Sequence, residues 1–490
     1  MARRTPTHPT TPPRDPPAQS GPGADPCPTP PPPEGKKLIV GKALVQTVRH
    51  FFPDFNRWLD RLPDARVRKA CTYPTRFLAW WGLLLYLLQL GSRRQLDYEL
   101  DAADNPQLLP NLNRLTQTQM STRPVHDTLD YFLGKVAVSG WEWLRRQMVQ
   151  RTLRMKVFDA ARLLGHVVVI IDATGVLCFD RRHCAHCLTQ RHGNKVYYMH
   201  HVLEAKLLGP AGVVISLGSE FIDNALVQAK AGQSAAEVKQ DCELKALARL
   251  LPRIREVLPQ LTIVLALDNL YCCGTAFALA KQYRCSFVVT FKEGRTPALW
   301  QEYGALRAAC PDNVVVQQWH GGRRQEFRWV RQLEHQDSEG RRWPLNALEC
   351  RERTAAGEEH YFAWLTPLPV TAKSVAQLAE KGGRYRWKIE NEGFNRQKNS
   401  DLNLEHVYST DAEKWKAYYL LLQIAFVLTQ LLERGSLLRR LAAGLGGGVG
   451  KVFGSLRNIV RRLLDSLRSV RWEESWFTPA AKLRISFDTS

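Results

Sequence analysis

Two runs of apolar and largely β-branched residues, VVVIID and TIVLALD, each end in a single aspartate, Asp172 and Asp268. Short runs of this kind bounded by turn formers read as strands. An acid at the C-terminal edge of such a strand lies where open α/β sheets place their chemistry. The two aspartates therefore constrain the chain to an α/β sheet and mark one edge of it as the place to look for function.

The order of the neighbouring elements narrows the fold further. Strand 167–172 is followed by two more strand candidates at 195–208 and 212–222, a helix at about 233–257, strand 262–268, a helix near 273–283 and strand 286–291. Three strands, helix, strand, helix, strand is the order of an RNase H-like domain, with one aspartate on its first strand and another on its fourth. Between Asp268 and the next acidic motif lie more than a hundred residues, too many for a simple crossover. Within them, VVVQQW, EFRWVRQL and HYFAWLTPL alternate with glycine-rich breaks, which reads as a β-rich insertion at about 296–370. Arg323, Arg324, Arg328, Arg331, Arg341 and Arg342 make it basic, with Trp319, Trp329 and Trp343 interleaved. That mixture suits a DNA backbone and unstacked bases, although tryptophans on strands are more often core.

The third acid lies in residues 384–399, RYRWKIENEGFNRQKN. On a regular helix Arg386, Trp387, Glu390, Phe394, Gln397 and Lys398 share one face, and Lys388, Glu392, Asn395, Arg396 and Asn399 the other. Glu390 then either pairs with Arg386 at i,i+4 or completes a metal site with the aspartates. Asp172, Asp268 and Glu390, with R-W-x-I-E around the third, resemble the acidic triad of the DDE transposases of bacterial insertion sequences, in the group with a Tyr-Arg-Glu-Lys signature. The similarity is closest to a subgroup reading I-E-N-E-x-F-N-x-x-K-N-x-x-x-x-L-E-H, matched from Ile389 through His406, and covers residues 165–435. Two positions depart from it: Gly383 stands where the tyrosine is expected, with Tyr385 nearby, and Gln397 stands where the lysine is expected, with Lys398 next to it.

Carboxylates are the donors that Mg²⁺ or Mn²⁺ prefers, and two such ions can serve both oxygens of an in-line phosphoryl displacement. The resemblance implies metal-dependent DNA cleavage and strand transfer by Asp172, Asp268 and Glu390, with Arg386, Lys398 and Tyr385 on the DNA. It also implies a helical domain at 37–160 that binds the terminal inverted repeats, a homodimer or larger assembly on double-stranded DNA, and a bacterial, nucleoid-associated location. Two other readings keep the same residues: an RNase H-like nuclease or resolvase that cuts without joining, and a DNA-binding derivative without chemistry.

Composition agrees with a polyanionic partner, since the formal net charge is +21. No secretory segment opens the sequence and the eleven cysteines are irregularly spaced, which favours a reduced cytosol. The apolar runs at 77–90 and 418–432 read as buried helices and not as membrane spans. Residues 1–36 hold 13 of the 28 prolines and read as a disordered or polyproline arm. Residues 436–490 read as a basic tail with an amphipathic helix, SLRNIVRRLLDSLRSV. Cys184 and Cys187 form a C-x2-C turn flanked by His183, His186 and His192, which is half of a zinc knuckle; its second pair is not apparent, and unligated reduced cysteines are the favoured expectation. Of His200 and His201, adjacent on the second strand, only one can face the site, and an ordinary core or surface histidine is expected.

Overall fold

The computed structural model describes residues 34–227, 239–319, 321–399, 402–478 and 483–487, so residues 1–33 of the proline-rich arm lie outside the described residues, while 34–36 open the first helix. Val167 to Ile171 are completely buried, and they open the strand from which the sheet grows in both directions. The strands are β1 (Val167–Phe179), β2 (Leu188–His192), β3 (Lys195–Leu208), β4 (Val214–Ile222), β5 (Ile263–Leu267) and β6 (Cys285–Thr290), then β7 (Val314–Gln318), β8 (Arg324–Gln336), β9 (Arg342–Arg353) and β10 (Glu359–Thr366). They form one mixed ten-stranded sheet in the order β2-β3-β1-β5-β6-β10-β9-β8-β7, with β4 also on β3.

β1 runs well past the expected end at Asp172. Its ladder with β3 continues through Gly175 opposite His201 and Phe179 opposite Tyr198, and Thr174-Gly175, which looks like a strand stop in sequence, is absorbed by an irregularity between Gly175 and Leu177. The β-rich insertion is present, but it extends the main sheet: β10 pairs antiparallel with β6 through Trp364 opposite Thr290 and Leu365 opposite Val289. The chain is thus an α/β protein with one continuous sheet.

Among the described residues, seven α-helices precede the sheet: α1 (Glu34–Phe51), α2 (Phe55–Asp60), α3 (Thr75–Leu87), α4 (Arg93–Glu99), α5 (Leu108–Thr116), α6 (His126–Leu133) and α7 (Val138–Arg154). Within or after it come α8 (Glu243–Val257), α9 (Gly274–Gln282), α10 (Pro297–Ala309), α11 (Val375–Gln377), α12 (Asn395–Asn399), α13 (Lys414–Arg434), α14 (Ser436–Ala443), α15 (Val449–Phe453) and α16 (Leu456–Ser469). The helix expected at 233–257 is observed only from Glu243 onward, and residues 228–238 lie outside the described residues.

α13 is long and apolar enough to cross a bilayer, yet 94% of its apolar window is buried inside the protein. It lies between β4 on one side and α1, α3, α6 and α7 on the other. Its few polar side chains fix its position. Gln430 both accepts from the Val214 N–H and donates to the Val214 carbonyl, Tyr419 donates to Glu204 at 2.7 Å, and Lys206 and Gln397 both donate to Gln423. Hydrogen bonds of this kind have one geometry in which every partner is satisfied, so they set the helix's rotation where apolar packing alone would tolerate others.

The basic C-terminal stretch is built into the helical layer. Ile459, Leu463 and Leu467 of α16 are buried and the helix packs on α1, where a Cβ at Gly41 would collide with the Ser466 hydroxyl. Buried Asn111 of α5 donates to the carbonyls of Leu467 and Val470 and accepts from the Trp472 N–H. Asn111→Ala removes the side chain that pairs those three backbone groups, two of them buried, and we expect a loss of about 3 kcal/mol in urea unfolding. A loss near zero would show that the C-terminal stretch contributes little to the fold.

Candidate functional site

β1 and β5 are parallel neighbours with Ile170 opposite Ala266, so two residues further on, Asp172 and Asp268 stand side by side on the same face. Asp268 lies directly after β5, where its carboxylate accepts from the Leu270 N–H at 2.9 Å and caps the following turn. The Asp172 carboxylate accepts from the Ala173 N–H. Both acids are held by rigid backbone at the end of a buried parallel pair.

Glu390 reaches them through Arg386. One guanidinium nitrogen, Nη1, donates to Asp172 at 3.0 Å and to Glu390 at 3.2 Å. The i,i+4 pair and the convergence on the aspartates are therefore one arrangement. Arg386 and Asp172 are nearly buried, with side chains 12% and 16% exposed, whereas Glu390 is 43% exposed and is the acid with room to move. Burial pushes the Asp172 carboxyl up to about 7; Arg386 opposes the shift, and the neighbouring Glu390 and Asp268 charges add to it.

The segment carrying Glu390 is not the regular helix expected. Leu378–Gly383 and Ile389–Phe394 are π-helical, with a 3-10 turn at Arg384–Arg386 between them. Neither turn advances at 100° per residue, so the projected faces hold only in part. Phe394 and Gln397 pack inward as expected, and Ile389 is buried as well. Trp387 does not: it is 51% exposed, with the Arg386 guanidinium over its ring at 5.3 Å. Glu392 points elsewhere, as expected, toward Lys388 at 3.7 Å.

Gly383 has a physical reason to interrupt the signature. A Cβ there would run into the Trp364 indole of β10, so no side chain, tyrosine included, fits. Tyr385 is half-buried instead, with the Lys388 ammonium over its ring. Gln397 is fully buried against Gln423, while Lys398 pairs with Glu405 at 2.6 Å and stands apart from the Arg386 bridge. Arg323 is engaged by Glu352 and Glu380, and Arg324, half exposed, contacts Glu326 at 3.6 Å. Of the tryptophans in the insertion, Trp329 is core and Trp319 is half exposed.

A cleft of about 460 Å³ adjoins the acids, lined by Asp268, Lys292, Trp300, Tyr361, Arg386 and Trp387 among others. Lys292 was not singled out from sequence, although it follows β6 much as Asp268 follows β5, and that position was its signal. Glu243, at the start of α8, accepts from the Tyr271 hydroxyl at 2.9 Å and lies close enough to Asp268 for the two charges to repel. Asp241 instead pairs with Arg249 at 2.7 Å.

At the other end of β1, the fold brings His183 and His200 to Cys184 and Cys187, so that all four side chains converge. His200 is buried, as a core histidine is, and its Nε2 faces both sulfurs. His186 and His192 are not part of this group. Compared with known proteins, the chain matches no family model, and no curated protein matches it significantly.

Asp172 supplies a test of the site's electrostatics. Its proton is held to about pH 7 in the fold and to about 3.8 in the unfolded chain, so the folded state binds more protons between those values and stability falls as pH rises through that window. In the presence of chelator, Asp172→Asn should therefore gain stability over the native protein from pH 5 to 8, reaching on the order of 2 kcal/mol, and show little gain at pH 4. A difference independent of pH would mean that Asp172 ionises normally.

Proposed function

We propose that this chain is a DDE transposase that cuts and joins DNA at the ends of a mobile element. The observation that carries the reading is the shared parallel register of Asp172 and Asp268 together with the Arg386 bridge to Glu390. The five strands β4-β3-β1-β5-β6, in which only β3 runs against the others, support an RNase H-like core. The insertion between the second aspartate and the glutamate fits the same family, as does the motif from Ile389 to His406.

The acids fit hard divalent cations such as Mg²⁺ or Mn²⁺. Their donors are all oxygens, and the Glu390 and Asp268 charges add to the rise that burial imposes on the Asp172 carboxyl. Bound there, two such cations supply charge neutralisation at the attacking and leaving oxygens of an in-line displacement at phosphorus. The protein's own part is positioning. Asp172 and Asp268 are fixed by strand ends, and Glu390 has the freedom to adjust. Arg386 can exchange a carboxylate for a phosphate oxygen, because its planar fork suits both. Exposed Trp387 beside it offers a ring face to an unstacked base. Lys292 brings a second cation to the same cleft.

For the remaining DNA, the net charge of +21 supports backbone binding. Arg324 is more available than Arg323, whose two glutamates must first be given up. Tyr385 and Lys398 serve DNA further from the acids. The helices α1 to α7 are assigned to the inverted repeats, in a homodimer or larger assembly within a bacterial cytoplasm.

The test is a linear duplex carrying the inverted repeats that flank the gene, incubated with Mg²⁺ or Mn²⁺. Cleavage at the repeats followed by joining to a target supports the proposal; cleavage without joining indicates a nuclease, and binding alone a non-catalytic derivative. Glu390→Gln should lower cleavage by roughly three orders of magnitude, as should Asp172→Asn and Asp268→Asn. Glu392→Gln should retain cleavage within about tenfold, because it removes no ligand. Reversed phenotypes for the two glutamates would overturn the assignment of the third acid.

A further inference from the structure

We propose that His183, Cys184, Cys187 and His200 form a structural zinc site that ties the β1–β2 connection to β3. Three of the four residues come from one five-residue turn, and the fourth from the strand that β1 pairs with, where His200 lies opposite Leu177. The sulfurs of Cys184 and Cys187 are 3.4 Å apart. Cys184 Sγ lies 3.2 Å from His200 Nε2, and Cys187 Sγ lies 3.3 Å from His183 Nδ1 and 3.8 Å from His200 Nε2. All four donor atoms are within 4.8 Å of one another. A tetrahedral ion with Zn–S of about 2.3 Å and Zn–N of about 2.0 Å requires donor separations of roughly 3.3–3.8 Å, so one ion fits the group with small adjustments.

Hydrogen bonding is a poor alternative account of the cluster. A thiol is a weak donor and acceptor, and here two thiols and two imidazoles face one another, with the backbone of His186 and Cys187 also hydrogen-bonded to Cys184. Cys187 and His200 are each only 1% exposed, and the second ring nitrogen of His200 has no partner among the described residues. Four soft or borderline donors converging in a half-buried space, in a Cys₂His₂ set, match zinc better than any hard cation.

The surroundings orient the ligands. The His183 ring lies on Phe179 at 4.1 Å between centroids, and the His200 ring lies beside Trp415 of α13 at 5.1 Å. Asn224 holds the turn itself: its backbone N–H donates to the His186 carbonyl and its side-chain amide to the Cys187 carbonyl, both at 2.9 Å. With four protein ligands the coordination is closed, so the ion's role is to hold structure. What it fixes is the β1–β2 connection, where Arg181 and Arg182 are exposed, and the hairpin of β2 and β3, where Arg191 and Lys195 are exposed. This site is independent of the acid triad and of the activity proposed for it.

The full-length protein, prepared without an affinity tag or chelator under reducing conditions, should contain about one zinc per chain by elemental analysis. Cys184→Ser and His200→Asn should lose most of it, while His192→Asn and the triad variant Asp172→Asn should keep it. If the ligand variants fail to fold, cobalt(II) exchange into the native protein decides: thiolate-to-metal charge transfer with intense tetrahedral d–d bands supports the site. Full zinc content in Cys184→Ser, no zinc uptake by native protein equilibrated with Zn²⁺, or a Cys184–Cys187 disulfide in the reduced preparation would each overturn it.

Discussion

The fold has to hold three carboxylates within reach of one another, against their mutual repulsion and, for Asp172, against loss of water. Arg386 is the group that makes this tolerable, since a single guanidinium nitrogen contacts both Asp172 and Glu390. Compensation is incomplete, because Asp172 still takes up a proton up to about pH 7. An arrangement that strains for positive charge is a poor device for stability alone. It is a suitable device for a site whose charge is completed by cations, which is why the proposed chemistry and the electrostatics point the same way.

Beside the acids, the neighbouring strands β3 and β4 carry a second set of buried polar groups. Glu204, the cross-strand partner of Asp172, is fully buried and accepts from the hydroxyls of Ser219 and Tyr419, while Arg145 donates to Ser216 and Ser219. Lys206, two residues on, is pushed down to about 8 by burial and donates to Gln423. Gln423 in turn accepts from Gln397, at the end of the segment that bears Glu390. The chain of contacts therefore runs from the sheet through α13 to the segment that bears the third acid. Removing one charged member would leave others buried without partners, a loss of several kcal/mol by comparison with buried ion pairs elsewhere.

The parts of this arrangement that sequence made legible are those set by local pattern. The apolar runs before Asp172 and Asp268 announce buried strands, and a shared parallel register follows once they are neighbours. Glu390 and Arg386 were legible through their spacing and the motif around them. What was illegible depends on contacts distant in sequence. The exposure of Trp387 follows from π-helical turns, which have no clear sequence signal. The extension of the sheet by β10 depends on two residue pairs across some seventy positions. The docking of α16 rests on Asn111 more than 350 residues away, so a basic amphipathic helix reads as a free tail until its partner is known. The Cys184-Cys187 turn lacked its second pair because His200 joins it only through the β1–β3 ladder.

The most direct test of the account is anomalous diffraction from crystals soaked in Mn²⁺. The account predicts manganese between Asp172, Asp268 and Glu390, with Arg386 withdrawn from at least one of its two carboxylates. Crystals with Arg386 still bridging Asp172 and Glu390 and no manganese at the three acids, at concentrations that saturate ordinary carboxylate sites, would contradict it.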